Sequence, residues 1–256
     1  LVMVLTPTSV HILDSLFRMV YAKLDISKYS VIRACWCGNS TILVTTTTGL
    51  IMIGQSSSPC SFNISSDCYA FQDIDGSRVI SANSITYIRE ASGFPLDFIN
   101  KNTKSSSIQL FMAVSKQKDF ATSDPLEKLR SVMSQAINGL LDAVTFFRNP
   151  VFIKQLLQII TRYKGECSDY NSERYQQVLA QSRVIINLVN SPVNMPLTFG
   201  QLKAIGNQRL LTRLCNCHQH FIAFRVADYL NLSTEYVSSH WAHCLIFSHI
   251  SNDEIL

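Results

Sequence analysis

The spacing of apolar residues changes character part of the way along the chain. Up to about Ala121–Asp124 they come in short runs rich in Val, Ile, Thr and Tyr, separated by clusters of Ser, Asn, Asp and Gly. That texture predicts strands joined by tight turns. Beyond it, apolar positions recur at three and four, which predicts amphipathic helices. Three stretches of the first part share one design of strand, small polar turn and strand. They are Leu1–Leu5, Thr6–Ser9 and Val10–Leu13; Ile42–Val44, Thr45–Gly49 and Leu50–Ile53; and Val79-Ile80, Ser81–Ser84 and Ile85–Ile88. Their starts lie about 40 residues apart, close to the ~40–45 residues of one β-propeller blade. A β-sandwich also produces short strands punctuated by turns, so the pattern alone leaves propeller and sandwich equally open. Asp75-Gly76 is the strongest tight-turn signal. The Lys101–Lys118 segment reads as a connector holding one more strand, Ile108–Val114.

The second part opens on a helix start. Asp124 is placed to cap, Pro125 fits the first helical position, and Glu127 sits three residues after the cap. Leu126, Leu129, Met133, Ile137, Leu140 and Val144 then fall on one face, and Asn149-Pro150 interrupts. A second helix carries Phe152, Leu156, Ile160 and Tyr163 and closes at Gly165. Glu173–Asn190 is a third, stopped by Ser191-Pro192. Thr198, with Gln201 in the capping-box position, starts a further pair through Leu202, Leu210 and Leu214. Phe221–Leu230 and Ser233–Phe247 complete the series. Helices of this length joined by short breaks stack as an α-solenoid or pack as an irregular bundle. The expected division is therefore a β region over residues 1–120 and an α region over 121–256.

Composition narrows the classes without naming one. The chain has 256 residues, 47% of them hydrophobic and 16% charged, which argues for packed structure rather than a solvated disordered chain. The net charge of +4 is spread evenly, and no block of like charges forms a nucleic-acid footprint. Eight cysteines in a chain well supplied with apolar residues read as reduced, mostly buried thiols. The uncharged stretch Cys37–Ser66 is broken by Thr45–Thr48, Gly49 and Ser56–Pro59, so it cannot supply the ~20 apolar residues of a membrane span. The opening Leu1–Leu5 has no basic flank of the signal-peptide kind, and the chain is expected to begin inside a folded region of something longer.

Candidate chemistry is sparse. Cys215, Cys217, His218 and His220, with His240, His243 and Cys244 downstream, are zinc-type ligands. The spacing argues against a site, because Cys-x-Cys-His-x-His lacks the two-residue gap of a knuckle and positions 215 and 217 point to different faces of a helix. His240 and Cys244 share a face at i, i+4. No metal, cofactor or catalytic residue is expected. There is no Gly-x-Ser-x-Gly elbow, no Gly-rich phosphate loop and no His-Glu-x-x-His. Asp73 and Asp75 read as turn residues. Trp36 and Trp241 are expected to serve in packing.

Several blocks carry a resemblance in order along the chain. Met195-Pro-Leu-Thr-Phe-Gly-Gln-Leu is followed by Arg209-Leu-Leu-Thr-Arg-Leu, Ala227-Asp-Tyr-Leu-Asn-Leu and Ser239-His-Trp-Ala-His-Cys. Upstream lie Trp36-Cys-Gly, Ile51-Met-Ile-Gly, Asp73-Ile-Asp-Gly-Ser-Arg-Val-Ile-Ser and Arg183-Val-Ile-Ile-Asn-Leu-Val. Together they resemble the vacuolar protein sorting-associated protein 16 family of class C tethering subunits. The resembling positions are Trp36, Gly38, Asp75, Gly76, Pro196, Leu197, Thr198, Gln201, His240 and Trp241. The resemblance implies the last blades of a β-propeller followed by an α-solenoid of helical hairpins. It implies a non-enzymatic scaffold of the HOPS and CORVET membrane tethers in vesicle transport and SNARE-dependent fusion. Implied partners are the other class C subunits and an SM-family SNARE-binding protein held by a more C-terminal stretch. Membrane association is implied to be indirect, at late endosomes and the vacuole or lysosome, from the cytoplasmic side, with no nucleic acid bound. A different propeller–solenoid coat or pore scaffold is the alternative, and a Cys/His zinc or thiol protein a more distant one.

Overall fold

The computed structural model describes residues 1–38, 41–54, 59–64, 67–91, 93–116, 129–167 and 171–248, with Ala22 described through its backbone. The chain divides into two units, Leu1–Glu90 and Ala91–Leu256.

The first unit is all β. Its strands are β1 (Val2–Leu5), β2 (Ser9–Leu13), β3 (Val20–Asp25), β4 (Val31–Cys37), β5 (Thr41–Thr46), β6 (Gly49–Ile53), β7 (Cys60–Phe62), β8 (Tyr69–Asp73), β9 (Gly76–Ile80) and β10 (Ile85–Ile88). They form three antiparallel meanders in chain order: β1-β2-β3, β4-β5-β6-β7 and β8-β9-β10. The three expected hairpins are all present, as β1–β2, β5–β6 and β9–β10.

Alternation along β5 explains how the sheets stack. Ile42 and Val44, with their cross-strand partners Ile53 and Ile51, join Val10, Ile12 and Ile26 in one core. Leu43, on the opposite face, joins Cys37, Leu50, Ala70, Val79 and Ile88 in another. A period of two thus sends alternate residues to different neighbours, and all six residues of β5 are buried. The middle sheet is covered on both faces, one by the first sheet and one by the third. A two-layer sandwich leaves each sheet one open face; sheets layered in chain order are how consecutive propeller blades pack. The stack does not close on itself among the described residues. Tyr69, Ile80 and Ile85 lie side by side across the third sheet and are exposed, as are Val4, Val20 and Tyr21 on the first.

The second unit is helical. Its helices are α1 (Phe94–Asn100), α2 (Ser106–Lys116), α3 (Met133–Phe146), α4 (Pro150–Tyr163), α5 (Ser172–Asn190), α6 (Phe199–Ile205), α7 (Asn207–Asn216), α8 (His220–Tyr229) and α9 (Glu235–Phe247). The expected strand Ile108–Val114 is instead the body of α2. Ser107, Leu110, Phe111 and Val114 follow a helical spacing, Ser107 and Leu110 are fully buried, and the Ser107 hydroxyl donates to the Ala136 carbonyl at 3.0 Å. A short continuous apolar run cannot separate the two readings by itself. The change from strand to helix therefore falls between Ile88 and Phe94, ahead of the expected boundary at 120/121. The expected cap at Asp124, with Pro125, Leu126 and Glu127, lies outside the described residues.

Asn149 starts α4, accepting from the N–H groups of Val151 and Phe152 at 2.9 and 3.3 Å ahead of Pro150 at the first helical position. Two cores follow in sequence. One holds α2–α4 and the start of α5, including Tyr175 and Val178; the other holds Val184, Ile185 and Leu188 of α5 with α6–α9. The 19-residue α5 belongs to both. Handing a core on through a shared helix is the nearest-neighbour logic of stacked hairpins.

Candidate functional site

The ten positions singled out by the resemblance gather at three places. In the sheet unit, β4 ends beside the β8–β9 turn. The Ser77 hydroxyl donates to the Trp36 carbonyl at 2.8 Å, and the Gly38 N–H donates to the Gly76 carbonyl at 3.4 Å. Gly38 has φ +68°, which suits glycine. Asp73 pairs with Gly76, so the two-residue loop is Ile74-Asp75 and the glycine is the first residue of β9. A Cβ at Gly76 would stand 2.4 Å from the Ile88 carbonyl oxygen; close strand approach fixes this glycine. Asp75 accepts from the Tyr87 hydroxyl and from Arg89 Nη1 at 3.0 Å. Burial and the Asp75 carboxylate push the Tyr87 phenol far above its ordinary value. Trp36 is half-buried against the first-sheet core. This constellation joins two sheets and leaves no open carboxylate pair for acid–base work.

The second place is the connection into α6. Arg148 donates to the Pro196 carbonyl at 3.0 Å, Leu197 is buried, and Thr198 with Gln201 forms a reciprocal capping box. The third is α9, where Trp241 stacks on His220 at 6.3 Å between ring centroids and meets Phe224 edge-on. Trp241 is 47% exposed, so its packing is partial.

Two features of the helical unit go beyond the sequence reading, one that it did not show and one that it argued against. The first is a groove of about 910 Å³ over α5, between α4 and α8. Each wall is a helical stripe: Lys154, Leu157 and Thr161 from α4; Leu179, Arg183 and Ile186 from α5; Phe221, Arg225 and Tyr229 from α8. The floor is apolar and the rim cationic. Among the described residues no Asp or Glu lines it, and no ion pair engages Lys154, Arg183 or Arg225. Three facing stripes become visible only once the helices are packed.

The second is the cysteine–histidine cluster, whose spacing argued against a site. His218 and His220 lie at the α7–α8 turn and Cys244 on α9, and their ligand atoms all fall within 4.8 Å of one another. His220 Nε2 is 3.0 Å from His240 Nδ1, and Cys244 Sγ is 3.5 Å from the same nitrogen. Burial holds the His220 imidazole below its ordinary pKa, with His240 and His218 adding to the effect. Cys215 and Cys217 do not join this set: Cys215 is buried in the second helical core and Cys217 is exposed.

The first unit is a stack of antiparallel sheets and the second a series of helical hairpins that share cores, and this order of elements defines the class of fold. Residues 5–175 match the family model described as Vps16, N-terminal region, and the chain belongs to that family. It is 25% identical over 210 residues to "Protein VACUOLELESS1" of Arabidopsis thaliana, covering 81% of this chain and 24% of that protein. It is 22% identical over 247 residues to the "Vacuolar protein sorting-associated protein 16 homolog" of Drosophila melanogaster, covering 93% and 30%. The Dictyostelium discoideum protein of the same name is 24% identical over 229 residues, covering 86% and 27%. The chain thus spans about a quarter to three tenths of the length of these relatives. No described helix is long and apolar enough to cross a membrane.

Proposed function

We propose that this chain is a non-enzymatic scaffold region of a class C membrane-tethering assembly of the HOPS and CORVET type. In this reading it acts in vesicle-mediated protein transport to the vacuole or lysosome and in SNARE-dependent fusion. The observation that carries the reading is the family match, which runs from the first sheet into α5 and so spans both units. The names of the relatives, which speak of vacuolar protein sorting, support the cellular process. The working state is cytoplasmic and peripheral on late endosomal and vacuolar membranes. Its partners are other class C subunits, with an SM-family protein engaged outside this stretch.

Within that role the groove over α5 is the surface for one such partner. Its apolar floor and cationic rim fit an amphipathic helix with an acidic polar face. The fit to a bilayer is poor, because a concave groove between three helices cannot lie against a flat surface. The test is capture of the tagged full chain from cells, with and without Arg183→Glu and Arg225→Glu together. The intact chain is expected to recover class C subunits. The doubly reversed rim is expected to reduce one of them about tenfold or more with helicity unchanged. Recovery of coat or pore subunits in their place would favour the alternative scaffold, and recovery unchanged by the reversal would remove the groove from the account.

A further inference from the structure

The cysteine–histidine cluster goes beyond the scaffold reading and does not depend on it. Its side chains are borderline-soft donors drawn from two separate parts of the chain: His218 and His220 from a turn, His240 and Cys244 from one face of a helix. A tetrahedral zinc site needs edges of about 3.3 Å between nitrogens and about 3.6 Å between nitrogen and sulfur, given bonds of about 2.0–2.1 and 2.3 Å. The two distances to His240 Nδ1, 3.0 Å from His220 and 3.5 Å from Cys244, are close to those edges. His218 stands within 4.8 Å of both His220 and Cys244 and supplies the remaining corner. His240 lies outside that mutual set and joins the cluster through its contacts with His220 and Cys244.

Two further observations point the same way. His218 has φ +57°, at the helix end where the N–H of Gln219 reaches back to the Leu214 carbonyl at 2.9 Å. Glycine is the usual residue there, and a side chain is disfavoured in that conformation. The His218 imidazole lies at the cluster from this left-handed position. The second observation is that Trp241 of α9 stacks on His220 beside the cluster, which brings the two elements together there. Val237 is the one buried residue of α9, while Trp241, Ile246 and Phe247 are exposed.

We propose that His218, His220, His240 and Cys244 bind a zinc-class divalent cation that staples α9 to the α7–α8 turn. The test uses the purified full chain, stripped with a chelator and titrated with Zn²⁺ against a chromophoric competitor. One equivalent is expected to bind, and His220→Asn is expected to weaken binding by about tenfold or more. Loading with Co²⁺ is expected to give tetrahedral visible absorption and a thiolate-to-cobalt charge-transfer band. That band is expected to disappear in Cys244→Ser and to survive in Cys60→Ser, which changes an exposed thiol in the sheet unit. Should the Cys244 variant misfold, alkylation of the unaltered chain decides: Zn²⁺ is expected to slow labelling of Cys244 and not of Cys60. An octahedral cobalt spectrum, zinc uptake indifferent to His220→Asn, or Cys244 labelling unaffected by Zn²⁺ would overturn the proposal.

Discussion

In the sheet unit one strand, β5, is covered on both faces and all six of its residues are buried. In the helical unit every described helix keeps a more open side, and α5 divides its length between two cores. The first arrangement couples neighbouring layers through a shared middle, since a change on either face of β5 acts on the same backbone. The second passes contacts along a series, so damage at one hairpin reaches mainly the next. Leu43 and Leu156 test that contrast at equal burial, because both are fully enclosed. Leu43→Ala and Leu156→Ala are each expected to cost about 2–5 kcal/mol in lost burial and residual cavity. The difference lies in reach. Trp36 packs in the core on the opposite side of β5 from Leu43. In a background lacking Trp241, Leu43→Ala is expected to lower the denaturation midpoint reported by Trp36 fluorescence. Leu156→Ala is expected to speed amide exchange in α3 and α4 while α8 keeps its protection. An unmoved Trp36 transition, or uniform loss of protection along the helices, would break the contrast.

Two glycines sharpen it at smaller scale. A Cβ at Gly76 would meet the Ile88 carbonyl oxygen at 2.4 Å and Arg89 Cβ at 2.9 Å. A Cβ at Gly139 would meet Ser107 Oγ at 2.1 Å and the Phe94 ring at 2.5 Å. The first obstacle is backbone in the ladder, which moves only if β9 and β10 separate. The second is made of side chains, and alanine also gains about 1 kcal/mol of helix propensity over glycine. Overpacking costs about 1–3 kcal/mol, so Gly76→Ala is expected near the upper end. Gly139→Ala is expected to be roughly 1 kcal/mol milder once the propensity gain is subtracted. Urea midpoints of the two variants give the order, and a larger loss at Gly139 would reverse it.

The parts of this fold that could be read in advance are those written in short windows. The hairpins around Thr6–Thr8, Thr47-Thr48 and Ser81–Ser84 and the box at Thr198 and Gln201 depend on residues within a few positions of one another. The pattern did not reveal α2, because Leu110–Val114 is a continuous apolar run and only Ser107, facing the Ala136 carbonyl, shows its helical phase. It also did not reveal α1, although Pro95 at the helix start was a usable signal. The groove was further out of reach, and the cysteine–histidine residues were visible as ligand types but their spacing argued against a site. Spacing rules judge ligands along one segment, whereas His218 and Cys244 meet across a turn and a helix 26 positions apart.

The mildest test concerns how each unit punctuates its chain. The helix α6 has only seven residues, and its start is fixed by Thr198 Oγ1 accepting from the Gln201 N–H at 3.1 Å. The return bond, from the Thr198 N–H to Gln201 Oε1, is 3.0 Å. Both side chains are buried, at 2% and 3% exposure, so water cannot take over the lost partner when one is removed. Thr198→Ala is therefore expected to cost about 1 kcal/mol, within the ~0.5–2 kcal/mol range of N-caps. The sheet unit's counterpart is Ser81, whose hydroxyl bonds to Ser84 in an exposed loop while the main-chain bond from Ser81 N–H to the Ser84 carbonyl, 2.9 Å, persists without it. Ser81→Ala is expected to stay within about 0.5 kcal/mol of the parent, because solvent replaces the hydroxyl and the turn keeps its backbone closure. Thermal midpoints measured side by side decide the point: equal losses would mean that the box at Thr198 is held by its surroundings rather than holding them.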